Sequence, residues 1–250
     1  MKKKFAIGVM FLITYLGFLV ATLPATVVFN QFEMPKDLLV SGVSGSIWHA
    51  NIEQVVVDKM VLKKIQTKLS FWSLMTLAPM LPVTFGDSFL AGPEGKFDIT
   101  LSQGKIEIEN LSLFIKANKI AQQLTLPLPV TAQGDVEIML SHAAIDIEDK
   151  NKCIAANGVV TWSKAGVVAL AEKIKLGTLN AKIACEEGAL VLVLSSKNDL
   201  GLTFSAYVSQ GGRVSGNGFL KPGAKFPPAL SSALPFLGRK DSQGRYRLSF

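Results

Sequence analysis

The feature that most restricts the fold of this chain is a repeated alternation of apolar and polar residues. It runs through residues 96–101, continues after a Ser-Gln-Gly turn with Ile106 and Ile108, and recurs in residues 136–140 and 202–209. A period of two places apolar side chains on one face of a strand. Short runs of this kind between tight turns predict a mainly β protein with a curved antiparallel meander sheet. After the first thirty residues, helical patterns are predicted only in three short segments: 71–81, 115–124 and 227–237.

The chain begins with a long uncharged segment. Residues 5–23 carry no charge and follow three lysines. As a helix they would span about 28 Å, close to the hydrocarbon thickness of a bilayer. The run is longer than the apolar centre of a signal peptide, and Leu23 is bulky for a site cleaved after Ala25, so we favour an uncleaved anchor. The lysines stay in the cytoplasm by the positive-inside rule. For a bacterium we therefore expect three parts: a cytoplasmic start at 1–4, a transmembrane anchor at 5–25 and a single periplasmic β-rich domain at 26–250.

The two cysteines fit that compartment. Cys153 and Cys185 form an even count in an oxidising space, which predicts a disulfide. Two buried free thiols are the alternative, whereas a redox-active pair is disfavoured because no Cys-x-x-Cys motif occurs. If the two flanking strands were adjacent and antiparallel with the cysteines directly opposite, Trp162 would lie opposite Leu176.

The residue types that carry chemistry are sparse. The formal charge is +7, but three of these charges belong to the first lysines and the other basic residues are scattered. No basic stripe with interleaved aromatic residues is present, so we expect no nucleic-acid binding. His49 and His142 are isolated, which is too few ligands for a zinc site. No nucleophile elbow, P-loop or dinucleotide fingerprint occurs. We expect neither catalysis nor a bound metal or cofactor.

Several short motifs follow one another in a recognisable order after the basic start and the apolar segment. They contain, in turn, Gly42, Gly45 and Trp48; Gly92 and Gly95; the two cysteines; and, in the last seven residues, Gly244, Tyr246 and Phe250. In this order, and over nearly the whole chain, they resemble the type II secretion system protein N family. Ala50 departs from the pattern, since that family leads us to expect glycine there.

The resemblance implies a function that the residue chemistry does not reveal. A member of this family would be an inner-membrane accessory protein that helps to export folded proteins across the outer membrane, with other secretion subunits as partners. From the residues themselves we expect structural roles. Gly42 and Gly45 would permit a tight turn or bulge, and Trp48 would be a large core residue.

Two other functions stay open. A looser similarity to the periplasmic sheets of AsmA-type proteins suggests a module that contacts lipid, on fold-level analogy alone. The terminal Phe250, with Tyr246 on the same face, is also compatible with an outer-membrane β-barrel. Against the barrel, the strands are shorter than the 9–11 residues needed to cross a membrane, and no aromatic girdles are visible.

Overall fold

The computed structural model places one large antiparallel sheet after an apolar helix. It describes residues 2–29, 31, 38–57, 60–74, 78–87, 92–102, 104–123, 130–149, 151–169 and 172–249. The helices in these ranges are α1 (Lys2–Thr22), α2 (Ala25–Phe29), α3 (Phe71–Leu74) and α4 (Ala117–Ala121), with 3₁₀ segments at Gln210–Gly212 and Pro228–Leu237. The strands are β1 (Leu38–Ser46), β2 (His49–Val57), β3 (Met60–Lys68), β4 (Met80–Phe85), β5 (Glu94–Ser102), β6 (Lys105–Lys116), β7 (Val130–Asp146), β8 (Lys152–Ala169), β9 (Glu172–Glu186), β10 (Ala189–Leu194), β11 (Leu202–Val208), β12 (Val214–Leu220) and β13 (Tyr246–Ser249).

The order of the strands in the sheet is their order in the chain. Each strand pairs antiparallel with the next, from β1 to β13, so the predicted antiparallel meander is confirmed. Within the described residues β1 and β13 are the two ends of this order and do not pair with each other. The sheet is therefore open, whereas a membrane barrel must be closed so that it leaves no unpaired edge. The expectation of strands too short to cross a membrane is wrong for β7, β8 and β9, which have 17, 18 and 15 residues.

One face of the sheet carries many of the apolar side chains. Directly paired residues of neighbouring strands have their side chains on the same face, so apolar residues that pair with one another lie together. Ile99, for example, pairs with Leu81 on one side and with Ile108 on the other. Short segments pack on this face at three places. Phe29 of α2 contacts the cluster around Ile52, α4 packs beside β6 and β7, and the segment Pro228–Leu237 covers the cluster that contains Leu220 and Tyr246.

β-Bulges interrupt the pairing of the longest strands. The β7–β8 ladder shifts between Gln133 and Asp135, where Gly134 has φ +93°. A side chain at Gly134 would also collide with the backbone carbonyl of Ser163. A bulge bends its strand and increases the local twist.

The strands that carry the two cysteines are adjacent and antiparallel, as predicted, but the predicted register is wrong. Trp162 pairs with Leu179 and not with Leu176. The backbone N–H of Cys153 donates to the carbonyl oxygen of Gly188 at 2.9 Å, so Cys153 lies opposite the β9–β10 turn and not opposite Cys185. The disulfide therefore joins Cys153 to a residue of β9 that is not its direct partner across the two strands.

The short predicted helices are only partly found. Among the described residues of 71–81 the helix is α3, residues 75–77 lie outside the described ranges, and Met80 already belongs to β4. Pro79 precedes this strand, and proline disfavours a continuing helix. In 115–124 the helix is α4, while residue 124 lies outside the described residues. The prediction for 227–237 is confirmed as a 3₁₀ segment.

Candidate functional site at the helix–sheet junction

The end of α1 is attached to the sheet by backbone contacts. Pro24 forms an isolated antiparallel bridge with Ser46 at the end of β1. The N–H of Ile47 donates to the carbonyl oxygen of Leu23 at 3.1 Å. Ala25, the first residue of α2, is only 1% exposed. The helix therefore does not end in a free linker, because the residues that follow it are hydrogen-bonded to the end of β1.

Trp48 completes this attachment through its indole group. The Nε1–H of Trp48 donates to the carbonyl oxygen of Val20 at 3.0 Å. In an α-helix that carbonyl would accept the N–H four residues later, but the residue there is Pro24, which has no N–H. The N–H of Leu23 approaches the same oxygen only at 3.4 Å. Trp48 thus supplies the donor that Pro24 lacks.

The position of Trp48 differs from the core position expected from sequence. The residue is half-buried and forms, with Ile47, the two-residue turn between β1 and β2. Its ring centroid lies 5.9 Å from that of Phe71 in α3, at a tilt of 55°. The N–H of Leu69 donates to the carbonyl oxygen of Trp48 at 3.1 Å, which joins the loop before α3 to the turn. The aromatic pair lies beside the helix and outside the sheet core.

The two glycines before Trp48 shape the hairpin that carries it. Gly42 has φ +68° and Gly45 has φ +86°, a region that L-residues rarely adopt. A side chain at Gly45 would collide with the carbonyl oxygen of His49 across the turn. The structure therefore places both glycines at backbone positions that glycine adopts without strain and that a side chain would not tolerate well.

An apolar cleft of about 380 Å³ lies next to this junction. One wall is α2, and the other walls come from the β1–β2 turn and the strands β2 to β5. The cleft is lined by Ala25, Val28, Phe29, Ile47, Ala50, Thr67, Leu69, Pro79, Leu81, Ile99 and Leu101. Ala50 is 4% exposed, so the methyl group that departs from the expected glycine fills part of this wall.

The second glycine motif lies at the start of β5. Gly95 pairs with Phe85 on one side and Leu113 on the other. A side chain there would collide with the carbonyl oxygen of Ser112, which explains glycine at that position. Gly92 is exposed, with open space around it. Nothing in the structure requires glycine at Gly92.

The cysteine pair lies far along the chain from the junction. Cys153 and Cys185 are linked, with a Cα–Cα distance of 5.7 Å. Cys153 is 6% exposed. The bond joins the ends of β8 and β9 beside the β9–β10 turn.

The C-terminal motif forms a turn and the last strand. Gly244 has φ +75° within the turn, and Tyr246 is 8% exposed in a core cluster. The backbone N–H of Arg245 donates to Asp241 Oδ1 at 2.9 Å and, against the opposing effect of burial, lowers the pKa of that carboxyl. The Arg245 guanidinium and the N–H of Gln243 act in the same direction. Phe250 lies outside the described residues.

The described junction is built from backbone hydrogen bonds, one indole hydrogen bond and an aromatic contact. Among the described residues no group of three or more His, Cys, Asp and Glu is placed to hold a metal ion. His142 approaches Glu109 at 3.8 Å on an exposed surface, and His49 is exposed. The expectation that the chain binds no cofactor stays a prediction.

Sequence reasoning singled out Trp48 but missed its neighbours. Val20, Pro24 and Phe71 are brought together with it only by the fold. The available signal was a proline directly after an apolar helix, because it leaves a helix carbonyl without its usual donor. By contrast, the Gly95, cysteine and Tyr246 motifs lie on other strands and do not join this site.

Comparison with known proteins identifies relatives along the whole chain. The family model described as "Type II secretion system (T2SS), protein N" matches residues 36–249. A type II secretion system protein N of Aeromonas hydrophila is 29% identical over 100% of this chain and 98% of its own length. Its counterpart in Vibrio cholerae is 25% identical, over 98% and 97% of the two chains, and that of Klebsiella pneumoniae is 27% identical, over 98% and 94%. No solved structure matches the chain.

Proposed function

This chain belongs to the type II secretion system protein N family, and we propose that it is a non-catalytic accessory component of the secretion apparatus in the bacterial inner membrane. In this role it supports the export of folded proteins across the outer membrane. The observation that carries the proposal is the family match over residues 36–249, together with relatives that align from end to end.

The proposed topology has one membrane span. Residues 4–22 form a helix of 19 residues with a mean hydropathy of 2.2, and none of it is buried in the protein. The lysines before it favour a cytoplasmic N-terminus, which leaves residues 26–250 in the periplasm as a single domain. The link between Cys153 and Cys185 supports this orientation, because structural disulfides persist in oxidising compartments.

Protein partners are expected at the open edges of the sheet. β1 lies at one edge, and its Leu39 is 65% exposed. β13 lies at the other edge with four residues. Unpaired edge strands are templates for a strand of another chain. We propose that these edges contact other subunits of the secretion apparatus.

A secretion assay tests the proposed function. The gene is deleted in its own bacterium, and a secreted protein is measured in the medium and in the periplasm. We expect the deletion to shift that protein from the medium to the periplasm and the full chain to reverse the shift. A control chain that carries residues 26–250 behind a cleavable signal peptide tests the anchor, and we expect it to restore less secretion. Unchanged secretion in the deletion strain would contradict the proposal.

Membrane separation tests the proposed location. We expect the chain to sediment with inner-membrane markers and to resist extraction by alkaline carbonate. Protease added to spheroplasts should degrade the sheet and spare the N-terminus. Recovery with outer-membrane markers, or release by carbonate, would contradict the inner-membrane anchor.

One observation favours a second candidate function, contact with lipid. Val208 and Val214 pair directly on the apolar face, yet they are 41% and 60% exposed. Toward the other end of the sheet lies the apolar cleft under α2, and α2 directly follows the proposed membrane helix in the chain. Mass spectrometry of gently purified protein separates the two candidates. Stoichiometric lipid favours the lipid function, and stable secretion subunits favour the first.

A further inference from the structure

A groove lined only by apolar and aromatic side chains lies between α1 and the sheet. Its helix wall consists of Leu16, Gly17, Val20 and Ala21, and its other wall consists of Trp48 and Phe71. The groove encloses about 500 Å³ and is open to the outside. Phe71 is 55% exposed.

The groove lies near the C-terminal end of α1, and this position sets its depth in the bilayer. Leu16 lies six residues before Thr22, the last residue of the helix, and at 1.5 Å per residue this corresponds to about 9 Å. The helix is about as long as the hydrocarbon core is thick. A helix that spans the bilayer would therefore hold the groove, with both aromatic rings, at the depth of the outer-leaflet acyl chains and headgroups.

We propose that Trp48 and Phe71 insert into the periplasmic leaflet and that phospholipid acyl chains fill the groove. The inference rests on the proposed membrane span of α1. It gives the sheet a second contact with the bilayer, made by the β1–β2 turn and α3. The sheet is thereby held in one orientation relative to the membrane and is not free to rotate on a single helix.

The chemistry of the surface fits this partner. Burying an indole in lipid costs free energy if its N–H has no acceptor, but the N–H of Trp48 already donates to Val20. Exposed aromatic rings are favourable at a membrane interface. None of the six residues that line the groove is charged. Since one wall is the proposed span itself, lipid is the neighbour that this groove meets.

Quenching of tryptophan fluorescence by brominated lipid tests the insertion. The full chain with Trp72→Phe and Trp162→Phe keeps only Trp48. A matched control with Trp48→Phe and Trp72→Phe keeps only Trp162, whose indole donates to the carbonyl oxygen of Gln133 within the sheet. Both proteins are reconstituted in vesicles of phosphatidylcholine brominated on the acyl chain, either near the headgroup or near the bilayer centre.

We expect Trp48 to lose most of its emission in the brominated vesicles, and more with the shallow bromines than with the deep ones. Trp162 should keep its emission in both. If the protein resists carbonate extraction but Trp48 is quenched no more than Trp162, the inference is wrong. The proposed membrane anchor is not affected by that result. Release of the protein by carbonate contradicts the anchor, and with it both the proposed location and this inference. An intact disulfide in each variant serves as the check on folding.

Discussion

Val20 and Trp48 are joined by a hydrogen bond across 28 residues of sequence, from the indole nitrogen to a carbonyl near the end of the first helix. Pro24 makes that carbonyl available, because it provides no N–H at the position where the helix would need one. The same proline pairs with Ser46 of β1. Pro24 thus ends the helix and begins its attachment to the sheet. Trp48, in the adjoining turn, holds the end of the helix through its hydrogen bond to Val20.

Removal of the indole donor is expected to loosen this junction. Trp48→Phe keeps an aromatic ring but loses the hydrogen bond to Val20, which costs about 0.5–1.5 kcal/mol. The amide of Ile47, which donates to Leu23, should then exchange its hydrogen faster. Hydrogen exchange measured by mass spectrometry checks this.

Trp162→Phe is the matched control for that exchange experiment. It also removes an indole donor, in this case the one to Gln133, and should accelerate exchange near Gln133 without affecting Ile47. Equal exchange at Ile47 in wild type and Trp48→Phe would show that the indole does not hold the junction.

Alanine substitutions should distinguish the glycines of the N-terminal half. Gly45→Ala forces a side chain against the backbone of His49 at a positive φ, which by itself costs about 1–2 kcal/mol. Gly42→Ala has the same strain and would bring its Cβ to 2.6 Å from the Cβ of Glu53, an atom that the backbone holds in place. Gly92→Ala meets nothing within 4 Å. Thermal unfolding should show a larger loss of Tm for Gly45→Ala and for Gly42→Ala than for Gly92→Ala, and a Tm for Gly45→Ala equal to that for Gly92→Ala would contradict this argument.

The sheet was predictable from sequence, whereas the junction was not. Alternation at residues 96–101 predicts β5 because each side chain in a strand is assigned to a face by position alone. The register that pairs Trp162 with Leu179 places Cys153 opposite Gly188, and neither the alternation nor the cysteine pair encodes that offset. The position of Trp48 depends on contact with a helix 28 residues earlier. A large aromatic residue is assigned to the core by default, although an amphipathic indole is equally suited to a membrane interface.

Loss of the disulfide is expected to destabilise the sheet strongly. The bond between Cys153 and Cys185 closes a loop with a sequence separation of 32, which corresponds to about 3–4 kcal/mol from restriction of the unfolded chain. The double substitution of both cysteines by serine should lower the free energy of unfolding in urea by that amount. Reductant should have the same effect on the wild type and no effect on the serine variant. A wild type indifferent to reductant would contradict a stabilising bond.

Acid should remove the contribution of Asp241 to stability. Hydrogen bonds from Arg245 lower the pKa of this carboxyl in the folded state below its unfolded value of about 3.9. The folded state therefore binds fewer protons than the unfolded state. The stabilisation is fully present above the unfolded pKa and is lost as the pH falls through the folded pKa. Asp241→Asn should have a lower Tm than the wild type near neutral pH.

That difference in Tm between wild type and Asp241→Asn should shrink as the pH falls from the unfolded pKa of about 3.9 through the lower folded pKa. Below both pKa values the aspartate is protonated and carries the same charge as asparagine. Glu148→Gln provides a control, because Glu148 is an exposed carboxylate in the turn after β7. Its Tm should follow the wild type through the same acid range. A Tm difference for Asp241→Asn that does not vary with pH would mean that the charge of Asp241 does not stabilise the turn before β13.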